Sequence, residues 1–244
     1  MYLGGMETQL LMIGNMPAAL YGEPSEKGFI FVHGLCGCKE EGARFAEIAA
    51  PLGWQTLAVD LPGHGGRRDD TPLVPWEAGR ELRAVLDYAR SMWKRVGVRA
   101  ISLGAYMSLT AFADEAPLDM CLLSSPLVDM ERMITDMMAA ANVSEARLEK
   151  EREISAGDQT LSWDYLCWTR AHPVYAVSPR TYIFRAQGDE LIPTETVERF
   201  AAENHAHLYI MPGGEHWLHT EEDVKVMSAW EKLYLCAMKV ECGW

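Results

Sequence analysis

Short apolar runs that read as buried strands alternate along this chain with segments carrying an apolar stripe at helical spacing, and this alternation constrains the fold more than any other feature. Gly28-Phe29-Ile30-Phe31-Val32 is the first such run, and it stops at His33-Gly34. Residues 39–52 follow as a helix, with Phe45, Ile48, Ala49 and Leu52 on one face and Gly53 at the C-cap. A strand over 54–60 is broken by Leu61-Pro62-Gly63-His64-Gly65-Gly66. The pattern then repeats as helix 76–94, strand 96–102, helix 103–113 and strand 119–125. Further on it resumes as strand 181–187, helix 193–203, strand 207–211 and helix 221–238.

Strands that are apolar throughout are covered on both faces, so the spacing predicts an α/β domain on a mostly parallel sheet. Residues 6–21 precede the first crossover and read as two short strands forming an antiparallel edge. Residues 126–180 are too long for a plain connection and are rich in Met and aromatic side chains. Helical spacing over 130–141 and 144–154 predicts a small helical cap there. The expected organisation is a core domain of residues 1–125 and 181–244, interrupted by a cap insertion of 126–180.

Composition narrows the function. The 22 Lys and Arg stand against 35 Asp and Glu, a formal charge of −13, with no cationic cluster beyond pairs such as Arg67-Arg68. That balance excludes a nucleic-acid partner and disfavours anionic membrane surfaces. No apolar run is long enough for a membrane span, and the first twelve residues lack the basic segment of a secretory leader. Six sparse cysteines, several inside apolar runs, fit buried thiols in the cytoplasm. Cys36 and Cys38 are a close pair, but no second pair or spaced histidines complete a ligand set, so no metal is expected.

In parallel α/β sheets ligands bind beyond the carboxyl ends of the strands, which directs attention to those residues. Ser102 ends a strand and precedes a helix. A serine on so sharp a turn needs small neighbours two residues before and after it, and here they are Ala100 and Gly104. Ala100 departs from the usual glycine by a methyl group, which should tighten the turn. A serine hydroxyl is a weak nucleophile that needs a base, itself oriented by a third group. His216, in Gly213-Gly214-Glu215-His216-Trp217, and Asp189, after Gln187-Gly188, supply these types in the order Ser, Asp, His. Asp129 is the rival acid and His219 the rival base; His64 reads as structural. Donors for an oxyanion are expected from the amides of Leu103 and Leu35, with Gly34 allowing close approach.

With these residues in place, the sequence resembles the α/β-hydrolase superfamily. Phe31-Val32-His33-Gly34, Val59-Asp60-Leu61-Pro62-Gly63-His64-Gly65, the turn at Ser102, Gly188-Asp189 and Gly214-Glu215-His216 fall in that family's places. The resemblance implies an α/β-hydrolase fold with Ser102, Asp189 and His216 as catalytic triad and the Leu35 and Leu103 amides as oxyanion hole. Within it, the chain is similar to bacterial carboxylesterases of the cinnamoyl-esterase and monoacylglycerol-lipase kind.

The expected activity is a serine carboxylesterase on a small hydrophobic acyl or aryl ester, with no cofactor. Met130, Met133, Met137, Trp163 and Trp168 of the cap are expected to bind substrate, and a monomer or homodimer to be the working form. A thioesterase or aminopeptidase-like amidase on the same triad is the alternative, and a non-catalytic binding protein of this fold a further one.

Overall fold

Ile30 and Val32 of one strand pack into one layer of core while Phe29 and Phe31 pack into another, because successive strand side chains point to opposite faces. That strand, β4 (Lys27–Val32), lies at the centre of a nine-stranded sheet. The computed structural model of the protein describes residues 2–3, 6–68, 72–157 and 159–241. The sheet begins with β1 (Tyr2–Leu3), β2 (Met6–Ile13) and β3 (Met16–Tyr21), and continues through β5 (Gln55–Val59), β6 (Arg95–Ile101) and β7 (Met120–Ser124).

Between these strands run α1 (Gly42–Ala49), α2 (Pro75–Met92) and α3 (Leu103–Ala111). Next come α4 (Met130–Ala140), α5 (Glu145–Glu151), β8 (Glu153–Ala156), β9 (Gln159–Ser162) and α6 (Trp163–Ala171). The chain then gives β10 (Thr181–Ala186), α7 (Thr194–Glu203), β11 (His207–Met211) and α8 (Glu221–Glu241). The strand order is β1-β2-β3-β5-β4-β6-β7-β10-β11. From β5 to β11 every pairing is parallel. The antiparallel edge expected from residues 6–21 is present and is extended outward by β1. This is the α/β-hydrolase fold, with helices on both faces of a mostly parallel sheet.

Helices α2, α3 and α7 bury their stripes in one core, through residues such as Leu82, Leu109 and Phe200. Helices α1 and α8 cover the opposite face, through Phe45, Met227 and Trp230. Helix α2 stops at Trp93, which turns extended and sends its indole N–H to the Gln55 side chain at 3.0 Å. A fully buried ion pair also joins sheet and helix: Arg99 of β6 meets Glu231 of α8 at 2.8 Å. The same guanidinium donates to the Ser124 hydroxyl and the Ala100 carbonyl.

Residues 126–180 differ from expectation in one respect. The helix predicted over 144–154 ends at Glu151, because Arg152 takes a φ of 68° and the chain enters the β8–β9 hairpin. Ile154 stands opposite Leu161 in that hairpin and both are buried, so the alternation in this stretch has strand rather than helix period. Ile134, Leu148 and Leu161 share one buried cluster with Leu82 and Val98, which makes the segment's core continuous with the sheet's.

The cysteines also depart from the expected burial. Among those described only Cys121, inside β7, is buried. Cys36 and Cys167 are exposed, and Cys38 and Cys236 half-buried. Cys36 and Cys38 sit in a turn and Cys167 on the outer side of α6, where no core reaches them; Cys242 lies outside the described residues. Among the described residues no helix is long and apolar enough to cross a membrane.

Removing one member of a buried ion pair strands the other charge, at a cost of about 3–5 kcal/mol. Glu231→Gln should therefore lower the unfolding free energy by about that amount in urea titration, and an unchanged midpoint would show that the pair is not buried in solution.

Candidate active site

The parallel strands end along one edge of the sheet, and β6 delivers Ser102 there. Its backbone sits at φ 47° and ψ −115°, a region that costs a non-glycine residue about 1–3 kcal/mol. Surrounding bonds hold it. The Ser102 amide donates to the Ser124 carbonyl at 3.0 Å, and the Ser102 carbonyl accepts from Ala105 and Leu127 at 3.0 and 3.2 Å. A Cβ on Gly104 would lie 2.2 Å from the His33 carbonyl oxygen, so only glycine lets α3 start this close to the end of β4. Ala100 causes no such conflict: it is a regular β6 position paired with Val32 and Leu123, and the turn keeps its strained form.

The structure brings the three separated residues together. His216 Nε2 is 2.8 Å from Ser102 Oγ, and His216 Nδ1 is 2.9 Å from Asp189 Oδ2. Burial by itself raises the Asp189 carboxyl, but the His216 hydrogen bond and the Ile192 amide outweigh it and hold the group below its ordinary value. Its other oxygen accepts the Leu191 and Ile192 amides, both at 3.0 Å. With the carboxylate ionised, Nδ1 carries the imidazole proton and Nε2 offers its lone pair to the serine hydroxyl. The two loops touch at their backbones: a Cβ on Gly188 would meet the Gly214 oxygen at 2.3 Å.

On the other side of Ser102 lies the turn after β4. His33 is fully buried, accepts the Leu61 amide at Nε2 and donates from Nδ1 to the Gly34 carbonyl. Burial pushes its pKa down to about 4, so it is neutral and the turn is tied to the end of β5. Among the described residues the Leu35 amide has no acceptor, and the Leu103 amide belongs to the first turn of α3, where helix N–H groups are free. A Cβ on Gly34 would meet Ile101 and the Ser102 Cβ at 3.5 Å, ordinary contacts, and the left-handed residue of the turn is Cys36, at φ 63°.

The rivals are placed elsewhere. Asp129 caps α4 and pairs with Arg199 at 2.8 Å, and His219 is exposed. His64 is buried, with Nδ1 on the Pro62 carbonyl. Met133, Met137, Trp163 and Trp168 are half-buried against the larger core, and Met130 lines a cavity between this segment and α7. Among the described residues no hydrogen bond, ion pair or ring contact joins them to Ser102. A second cavity, of about 460 Å³, backs His216 between α1 and α8.

Two supporting residues escape a reading by sequence alone. Ser125, at φ 42°, donates to the His216 carbonyl at 2.9 Å and so fixes the His216 backbone. Arg185 is fully buried and donates to the carbonyls of Asp189 and Ile192 at 3.0 and 3.3 Å. It thus closes the turn whose amides grip the Asp189 carboxylate, and its charge favours the ionised form. An arginine inside a strand signals burial with partners, but only the folded turn shows which partners.

Comparisons with known proteins agree with the fold. The family model described as the alpha/beta hydrolase family matches residues 29–229. Est1E from Butyrivibrio proteoclasticus, solved with ferulic acid bound, is similar in structure, with a TM-score of 0.70 and 18% identity over 94% of this chain and 98% of that one. The mouse alpha/beta hydrolase domain-containing protein 10 gives 0.72 and 14%, over 95% and 99%. A thioesterase domain from the curacin biosynthetic pathway gives 0.55 and 15%, over 93% and 99%. No curated protein matches in sequence.

Two measurements follow from the supporting groups. The unfolded chain protonates His33 near 6.5 and the folded chain only near 4, so the unfolded state takes up the proton first as pH falls. His33 stabilisation is full above about 6.5 and declines toward 4, by about 3 kcal/mol in all. His33→Gln should flatten urea-derived stability against pH in that window, and an unchanged slope would refute the assignment. Arg185→Met should lower turnover at least tenfold, by about the 1.4 kcal/mol that a lost charge-assisted bond supplies. Wild-type turnover in a folded variant would deny Arg185 a role in placing Asp189.

Proposed function

The chain belongs to the alpha/beta hydrolase family, and from that premise we propose that it is a serine hydrolase, a carboxylesterase cleaving hydrophobic acyl or aryl esters. The observation that carries this reading is the pair of hydrogen bonds linking Ser102 to His216 and His216 to Asp189. Ser102 Oγ attacks the carbonyl carbon while its proton passes to His216 Nε2, and Asp189 holds the ring and offsets the imidazolium charge. The Leu35 and Leu103 amides receive the oxyanion. Collapse of the tetrahedral species breaks the ester bond, and the departing alkoxide takes the proton from His216. Water then attacks the acyl carbon, His216 accepts its proton, and Ser102 is released as acid product forms. These steps need neither metal nor cofactor.

In this reading residues 126–180 form the cap, and Met130, Met133, Met137, Trp163 and Trp168 supply apolar surface to the acyl or aryl group. The partner is a small-molecule ester, met in the cytoplasm by a monomer or homodimer. The likeness to Est1E is one of fold; the preference for aryl groups rests on the aromatic and Met content of the cap.

A p-nitrophenyl ester series from acetate to long acyl chains, run on wild type and Ser102→Ala, tests the proposal. Turnover should fall by about 10³-fold or more in the variant, and labelling by a fluorophosphonate should disappear. Asp189→Asn should lower kcat by about 10² or more by favouring the wrong imidazole tautomer. A wild type that neither hydrolyses any ester nor labels would sink the hydrolase reading. Labelling without ester turnover would replace esters with thioesters or amides.

A further inference from the structure

The cavity of about 460 Å³ between α1 and α8 lies on the opposite face of the sheet from α3 and α7. Its volume is within the roughly 300–1,000 Å³ range of small-molecule sites. His216 and Trp217 line one side of it, whereas Ser102, Leu35 and Leu103 do not line it. It is therefore separate from the place where a carbonyl would meet the nucleophile. Buried Phe31, Leu218 and Met227 give it an apolar lining, and the Trp217 ring beside them is 62% exposed.

Four further charged residues border the cavity, and two of them are engaged within their own turn. Glu40 pairs with Lys39 at 2.8 Å, and Glu41 accepts the Cys38 amide at 3.3 Å. The other two, Arg44 and Glu47, stand one turn apart on α1, a spacing at which opposite charges commonly pair. Among the described residues neither makes an ion pair; Arg44 donates to the Ser228 hydroxyl at 3.3 Å. A third polar group, the Ser124 hydroxyl, accepts from the buried Arg99 at 3.0 Å, which leaves its proton to donate. A ligand with a positive charge alone is repelled by Arg44, and one with a negative charge alone by Glu47. A molecule carrying both charges satisfies both residues.

We infer that this cavity is a second binding site, for a zwitterionic α-amino acid with an apolar side chain. The ligand carboxylate pairs with Arg44 and the Ser124 hydroxyl, the ammonium pairs with Glu47, and the side chain lies against Phe31, Leu218 and Met227. At the roughly 30 Å³ that a liquid water molecule takes, the volume holds about fifteen non-hydrogen atoms, the size of an aromatic amino acid. The site does not rest on the esterase reading of Ser102.

Calorimetry with L-phenylalanine, L-tryptophan and L-leucine tests the inference. Each is compared with its amine lacking the carboxylate, 2-phenylethylamine for phenylalanine, and with its acid lacking the ammonium, 3-phenylpropanoate for phenylalanine. The tightest of the three amino acids should bind about tenfold or more tightly than either analogue, the ratio one charge-assisted hydrogen bond supplies. Arg44→Met should bring its affinity down to that of the amine, and Glu47→Gln to that of the acid. Neither side chain is buried, so both variants should keep the wild-type circular dichroism. Val224→Trp fills the cavity from α8 and should abolish binding of all three. The same amino acid should leave KM for p-nitrophenyl acetate unchanged. A KM that rises with it while kcat holds places it in the catalytic site and overturns the inference. So does the failure of all three amino acids to bind, or an affinity that survives Arg44→Met and Glu47→Gln. A wild type inert on esters removes only the hydrolase reading, and calorimetry still decides the site.

Discussion

Everything at the edge of this sheet depends on one strained turn. Ser102 stands at positive φ, where an L-residue is unfavourable, and no single bond offsets the strain. The surroundings hold it instead: Ser124 on β7 takes its amide, Leu127 and the first turn of α3 bond its carbonyl, and Gly104 lets that helix start against the end of β4. The strain has a geometric result. It lifts the hydroxyl clear of the strand end and leaves the first helix amide unsatisfied beside it, so the two groups that the proposed mechanism needs as nucleophile and oxyanion donor come from a single local conformation.

The other two members reach the serine because neighbouring loops are fixed by buried polar groups rather than by packing alone. Arg185 closes the Asp189 turn, Ser125 anchors the His216 backbone, and neutral His33 ties the turn of Leu35 to β5. Each is buried and costly to remove from water, and each is directed at a backbone carbonyl or amide of a site loop. Such groups give up some stability to hold separate loops in one arrangement. The Arg99–Glu231 pair acts similarly one layer deeper, joining the strand that carries Ser102 to α8.

The segment of residues 126–180 shares its core with the sheet, so it is part of the same folding unit. It meets α7 through the Asp129–Arg199 ion pair, the Ala176 amide on the Asn204 side chain and the cavity beside Tyr106.

Much of this was legible in the amino-acid order. Continuous apolar strands between helical stripes determined the parallel sheet, since such strands must be covered on both faces. Ser102 between Ala100 and Gly104, with Asp189 and His216 after later strands, marked the residues that the fold gathers, because all parallel strands end on one side. What the sequence could not show depends on contacts between distant segments. Arg152 ends α5 at positive φ, and Ile154 meets Leu161 across a hairpin whose short alternation passes for helix. Arg185 and Ser125 act on backbone atoms, which carry no residue-type signal. Tyr106 is an ordinary apolar position of α3 in one dimension; only the tertiary structure leaves its hydroxyl without a partner among the described residues, beside a cavity, because pairing is decided by what the other chain segments bring within reach.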